Sequence, residues 1–112
     1  MAITWNEPLN RFRRTLAERQ EQRSESDEFG DYSLFIAGRL PESRFKEMGE
    51  LLGLSGKWRE ESEQVGDWQL IKDQAWWDLP ESFDEEYRDQ GKGYSVLLGR
   101  SGDRVFYQAV SW

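Results

Sequence analysis

The sequence contains neither cysteine nor histidine. Without cysteine the chain forms no disulfide bond, which is consistent with a reducing compartment, and we expect a cytoplasmic protein. The two absences together exclude nucleophilic sites of the Ser-His-Asp and Cys-His types and remove the usual zinc ligands. Catalysis would have to rely on carboxylates, lysines, tyrosines and serines. The sequence therefore favours a protein that is not an enzyme and that uses no metal and no cofactor.

The sequence also lacks a long apolar run and an excess of basic residues. No stretch approaches the roughly 20 apolar residues that span a bilayer, so we expect no membrane partner. The chain has 15 basic and 22 acidic residues, a net charge of −7. Because lysine and arginine drive phosphate binding through counterion release, this balance makes a nucleic-acid partner unlikely. A protein with a basic surface is the partner that the charge favours.

Aromatic residues are plentiful, at 14% of the 112 residues. Each buried aromatic ring removes about 150–250 Å² from water, so these residues supply the core of a small fold efficiently. The length is that of a typical domain. We therefore expect one domain over residues 1–112.

The first half of the sequence predicts a helix, a strand and a second helix. Residues 4–22 begin with an apolar stripe at helical spacing, and residues 32–40 are apolar on both faces, as in a covered strand. Residues 41–53 carry a second helical stripe, and Gly53 is typical of a left-handed helix end. The residues of the first stripe are Trp5, Leu9, Phe12 and Leu16, and those of the second are Phe45, Met48, Leu51 and Leu52.

The second half predicts a long irregular segment followed by a hairpin. Residues 55–93 are acidic and aperiodic, with a candidate strand at 67–73 and one short helical turn around 83–87. Two β-rich runs within 94–112 flank a glycine-containing loop, which is typical of a β-hairpin. The fold class that follows is α+β: a three- to four-stranded, mostly antiparallel sheet with both helices on one face.

Three of the six tryptophans lie within the most acidic stretch of the chain. Residues 67–90 hold eight acidic residues and two basic ones, and they include Trp68, Trp76 and Trp77. Neighbouring residues of an extended segment point to opposite sides, so one ring of the Trp76–Trp77 pair can enter the core while the other faces a partner. The alternative is that both rings cap the sheet. We expect Trp58 to be in the core, together with Trp68 and Trp5.

These features favour a small acidic protein-binding module, and one specific form of it is an inhibitor or immunity-like protein. Tryptophan is enriched at interface hot spots, and acidic rims steer basic partners. Two alternatives stay open: a groove for a small ligand or carbohydrate, or for a carboxylate-dependent enzyme, lined by Trp76, Trp77, Tyr87 and Tyr94; and a structural subunit of a homo-oligomer. The predicted binding residues are Trp76, Trp77, Asp78, Asp84, Glu85, Tyr87 and Tyr94.

Overall fold

The protein is an α+β fold built on one six-stranded antiparallel sheet with the order β1-β2-β6-β5-β4-β3. The computed structural model describes residues 2–26, 31–62, 68–69, 71 and 74–112. The helices and strands, in chain order, are α1 Ala2–Thr15, β1 Ala17–Ser26, β2 Asp31–Arg39, α2 Phe45–Leu51, β3 Trp58–Ser62, β4 Phe83–Gly91, β5 Tyr94–Ser101 and β6 Arg104–Ser111, with a short 3₁₀ turn at Glu42–Arg44 before α2.

Both helices pack on one face of the sheet, as the sequence predicts. Phe12 from α1 and Phe45 from α2 are fully buried against Tyr107 and Tyr87, with ring centroids 5.6 Å apart in each pair. Alternate residues of the central strands complete this core. They are Leu34, Ile36, Leu98 and Val105.

The opposite face of the sheet is covered by the irregular segment between β3 and β4. Trp68 and Trp77 from this segment pack on Phe83 and Phe106, with centroid distances of 4.8 Å for Trp68–Phe83 and 5.5 Å for Trp77–Phe106. Phe35, Ala37 and Leu97 complete this second core. The acidic segment is therefore anchored by its own indole rings.

Three sequence predictions are confirmed. The C-terminal hairpin forms with β6 as an interior strand, between β2 and β5. β2 buries side chains on both of its faces, because Leu34 and Phe35 belong to opposite cores. The second helix is shorter than the predicted 41–53, because α2 covers Phe45–Leu51, but the predicted glycine signal is confirmed. Gly53, just past the end of α2, has a φ of 77°, the left-handed conformation that glycine adopts readily. The amide of Leu54 then donates to the Gly49 carbonyl at 2.8 Å, and Leu54 is buried against the helix.

The prediction of a first helix over residues 4–22 is wrong at its end. Helix α1 stops at Thr15, and residues 17–26 form strand β1 at the edge of the sheet. β1 has no apolar alternation to reveal it, because both of its faces carry polar side chains. Its side toward the helices is held by charged pairs such as Arg13–Glu21, at 3.2 Å.

The sheet is larger than the three or four strands predicted, because the 55–93 segment is not irregular throughout. It contributes β3 and β4, and Phe83–Tyr87, predicted as a helical turn, belongs to β4. The candidate strand at 67–73 lies largely outside the described residues, and Trp68, Gln69 and Ile71 within it are not in a strand. In the part of the chain that the structure describes, no helix is both long and apolar enough to cross a membrane.

Candidate functional site

The two neighbouring tryptophans of the predicted binding surface lie at different depths. Trp77 is 5% exposed, and its indole N–H donates to the Gln69 carbonyl at 2.7 Å. Trp76 is half-buried, and its N–H donates to the Gln74 side chain at 2.6 Å. The rings meet edge to face with centroids 6.0 Å apart. Trp77 therefore anchors the irregular segment, and Trp76 alone of the pair reaches the surface.

The predicted carboxylates Asp84 and Glu85 contact the same arginine. Arg100, buried in β5, donates from Nε to Glu85 at 2.8 Å, and its Nη1 lies 3.4 Å from Asp84. Asp84 also accepts the Gly102 amide at 2.8 Å. Asp78 is exposed, and its carbonyl accepts a hydrogen bond from Arg104. Much of the expected acidic rim is thus engaged within the molecule.

The predicted tyrosines are separated from the tryptophan pair. Tyr87 is buried under α2, in the core on the helix side of the sheet, whereas Trp77 belongs to the core on the other side. Tyr94 is exposed at the end of β5, and its hydroxyl lies 3.1 Å from Asp89. Trp76, Trp77, Tyr87 and Tyr94 therefore do not line one groove, and the seven predicted residues do not form one surface.

Trp58 was predicted to be in the core, and this prediction is wrong. Trp58 begins edge strand β3 and is 37% exposed, on the helix side of the sheet opposite Tyr87. Its indole N–H donates to Glu85 at 3.1 Å. An exposed indole held by a carboxylate thus lies on the surface, which is the arrangement that sequence reasoning assigned to Trp76 or Trp77.

A positively charged side chain already lies over the ring of Trp58. The ammonium of Lys46, from α2, lies 4.4 Å from the centre of the ring, a cation–π contact. Lys46 itself is exposed on the outer side of α2. This pair shows that a primary ammonium fits on the open indole without disturbing the core below it.

A shallow groove of about 220 Å³ lies beside this ring. Glu50 from the end of α2 lines it, and Tyr87 contributes to its inner wall. Burial, followed by the nearby carboxylates of Glu85 and Glu50, raises the pKa of the Tyr87 hydroxyl. The tyrosine therefore stays neutral, and the charged side chains near the Trp58 ring include Glu50, Glu85 and Lys46.

The chemistry of this surface is that of cation recognition. An indole face attracts ammonium and guanidinium groups, and the flanking carboxylates add charge-assisted hydrogen bonds. In the described part of the chain no cluster of three or more acidic residues has the geometry to hold a metal ion. We call the set of Trp58, Lys46, Glu50 and Glu85 the Trp58 surface.

The sequence prediction places Trp58 in the core because its indole is hydrophobic, and the Trp58 surface is therefore not predicted. Trp58 stands between Lys57 and the run Arg59-Glu60-Glu61. A lone ring among charged residues is a signal for an edge strand with one solvated side, and it was available in the sequence. The contribution of Glu85 was not, because it depends on the pairing of β3 with β4.

Comparison with known proteins gives no relative on which a function could rest: no protein-family model, no curated protein and no solved structure matches this chain.

Proposed function

We propose that the protein is a small non-catalytic binding module that recognises a basic protein surface, and that the Trp58 surface is its contact site. The observation that carries the proposal is the 37% exposed indole of Trp58, whose face holds the Lys46 ammonium and whose N–H is fixed by Glu85. A lysine or arginine of a partner can take the place of Lys46 on the ring.

The position of the ring supports a role in binding. Trp58 lies on β3, an edge strand of the described sheet, so a partner can approach without displacing an element of the fold. The hydrogen bond to Glu85 holds the indole in one orientation, which lowers the entropy lost when a partner binds. Aromatic anchors of this kind dominate the energetics of many protein interfaces.

The charge distribution supports the same partner chemistry. Glu50 is an exposed carboxylate that lines the groove beside the Trp58 ring, whereas Glu85 is paired with Arg100. The whole chain carries a net charge of −7. An acidic field mainly raises the association rate with a basic partner and disfavours acidic ones. The expected partner is therefore a protein segment rich in lysine or arginine, and added salt weakens the association.

The proposal is tested by titrating the protein with a lysine–glycine repeat peptide and with a glutamate–glycine peptide of equal length. We expect the lysine peptide alone to bind, and Trp58→Ala to weaken its affinity about tenfold or more. Trp112→Ala is the matched control, because Trp112 is 67% exposed but lies in a groove lined by uncharged residues. Equal affinities for wild type and Trp58→Ala would refute the proposal.

A further inference from the structure

A second groove, on the other face of the sheet, pairs two arginines with an indole. Its floor is Ala37 and Phe106, which are partners in the β2–β6 ladder. Trp76, Arg39 and Arg104 also line it, together with Glu18, whose carboxylate pairs with Arg39. The groove has a volume of about 210 Å³. That is below the roughly 300–1,000 Å³ of typical drug-sized pockets, so it suits a single small ring with its substituent.

The two arginines are direct cross-strand partners, Arg39 on β2 and Arg104 on β6. Like charges placed directly opposite each other destabilise a sheet, and here they occur in an acidic protein. Arg39 is neutralised by Glu18 and by Asp103, which lies 2.8 Å from its Nη1. Arg39 thus lines the groove, but its charge is already balanced by these two carboxylates.

Arg104 is different, because in the described part of the chain no carboxylate pairs with it. Its guanidinium lies 5.0 Å from the centre of the Phe106 ring, and one nitrogen donates to the Asp78 carbonyl at 2.8 Å. A guanidinium has five N–H donors, so most of its donors are left for another acceptor. These contacts hold Arg104 in place, and its remaining N–H donors can bind an anion.

The backbone at the rim of the groove is strained. Glu18 has a φ of 53°, and it is the one non-glycine residue of the described chain in the left-handed region. It lies in a β-bulge where the register of β1 against β2 shifts between Ala17 and Gln20. Such strain persists where surrounding contacts hold it and is concentrated at functional sites. Here the bulge contains Glu18, whose carboxylate pairs with Arg39.

We infer that this groove binds a small planar ring bearing an oxyanion, either a carboxylate or a phosphate, with the anion on Arg104 and the ring beside Trp76. The shared chemistry is bidentate recognition of two oxygens by a guanidinium, together with an aromatic wall for the ring. This site is independent of the Trp58 surface, since it lies on the opposite face of the sheet.

The test is an NMR titration with benzoate and phenyl phosphate, followed at the indole resonance of Trp76, with benzyl alcohol as the neutral analogue. We expect both anions to bind about tenfold or more tightly than benzyl alcohol, because the bond to a charged acceptor is lost with the neutral ligand. A preference between the two anions identifies the head group. Equal affinity for benzyl alcohol and the anions in the wild-type protein overturns the inference, whatever happens to variants.

Variants then locate the site. Arg104→Gln is expected to weaken anion binding about tenfold or more and to leave benzyl alcohol unaffected. Arg44→Gln is the matched control, because Arg44 is an exposed arginine on the helix side whose carboxylate partner is Glu47, one turn along. An unchanged affinity for benzoate in Arg104→Gln, or an equal loss in Arg44→Gln, contradicts the inference. Trp58→Ala is expected to bind the anions normally, which separates this site from the proposed protein-binding surface.

Discussion

Trp58 and Glu85 lie on neighbouring strands, and the indole N–H of Trp58 donates to the Glu85 carboxylate at 3.1 Å. Glu85 at the same time accepts from Arg100 at 2.8 Å, so the contact is tied to a buried side chain of β5. The indole is therefore fixed through its N–H while the residue stays 37% exposed and its ring contacts Lys46. This relationship supports the proposal that Trp58 is a contact residue.

Lys46 competes with a partner for the ring of Trp58, so its removal is expected to strengthen binding. Lys46→Ala removes the ammonium 4.4 Å from the ring centre and also makes the surface more acidic. An exposed cation–π contact contributes about 0.5–1 kcal/mol, which predicts a two- to fivefold gain in affinity for the lysine–glycine peptide. Isothermal titration of wild type and Lys46→Ala checks this. Weaker binding by Lys46→Ala would show that Lys46 contacts the peptide instead of competing with it for the Trp58 ring.

The pair of Glu86 and Arg88 on β4 is expected to be a stability determinant. The Glu86 side chain is 0% exposed, it pairs with Arg88, and it lies 3.5 Å from the Trp68 indole nitrogen. Arg88→Met leaves a buried carboxylate without this partner, and we expect a loss of about 3–5 kcal/mol in the free energy of unfolding.

A double-mutant cycle with Glu86→Gln separates the pair from its surroundings. The double variant is expected to lose less than the two single losses combined, because the second substitution removes the unpaired charge. Urea unfolding of all four proteins provides the values. Additive losses would show that the two side chains do not interact.

Close packing between α2 and β4 predicts that Gly49 tolerates no side chain. A methyl group at Gly49 would lie 2.3 Å from the ring of Tyr87. Overpacking of this kind costs about 1–3 kcal/mol, which outweighs the gain in helix propensity from alanine. Thermal unfolding of Gly49→Ala measures the effect. The same substitution made in a Tyr87→Leu background is expected to cost less, and an equal cost would contradict the packing assignment.

Stability is expected to fall in alkaline solution because of Tyr107. Burial raises the pKa of the Tyr107 hydroxyl well above its ordinary value of 10.0. Above pH 10 the unfolded chain releases this proton while the folded chain retains it, so the tyrosine's contribution is full below that pH and is lost as pH rises further. The slope for one such group is at most about 1.4 kcal/mol per pH unit. Urea unfolding between pH 9 and 12 is expected to show a shallower decline in Tyr107→Phe, and identical slopes would contradict this cause.

The sequence predicts those elements whose apolar pattern follows from burial. β2 is apolar on both faces because both faces are covered, and α2 shows its stripe because that side is buried. Gly53 after α2 is exposed, and it is predictable because its positive φ favours glycine. The C-terminal hairpin combines apolar strands with turn residues at Gly102-Asp103. In these three places the local pattern and the tertiary environment agree, so the prediction succeeds.

The strands that the sequence does not predict are held in the sheet by pairing with neighbouring strands and do not show an apolar pattern. β1 is an edge strand of polar residues, so nothing distinguishes it from a solvated extension of α1. β4 resembles an acidic loop, yet Glu86 within it is fully buried because Arg88 and Trp68 satisfy it. The sequence does not reveal these contacts, because Trp68 is 18 residues away from Glu86 and Arg88 lies on the same side as Glu86 only once the fold is formed. For the same reason the sequence does not predict the exposed position of Trp58, whose carboxylate partner is supplied by the neighbouring strand.

The most direct test of the Trp58 surface is to map the lysine–glycine peptide by chemical-shift perturbation of the backbone amides and the six indole N–H groups. We expect the largest shifts at the Trp58 indole and at the amides of Lys46 and Glu85, and no shift of the Trp68 and Trp77 indoles, which are buried in the core on the other face of the sheet. Binding that leaves Trp58 unperturbed, or that moves resonances on the opposite face of the sheet instead, would contradict it.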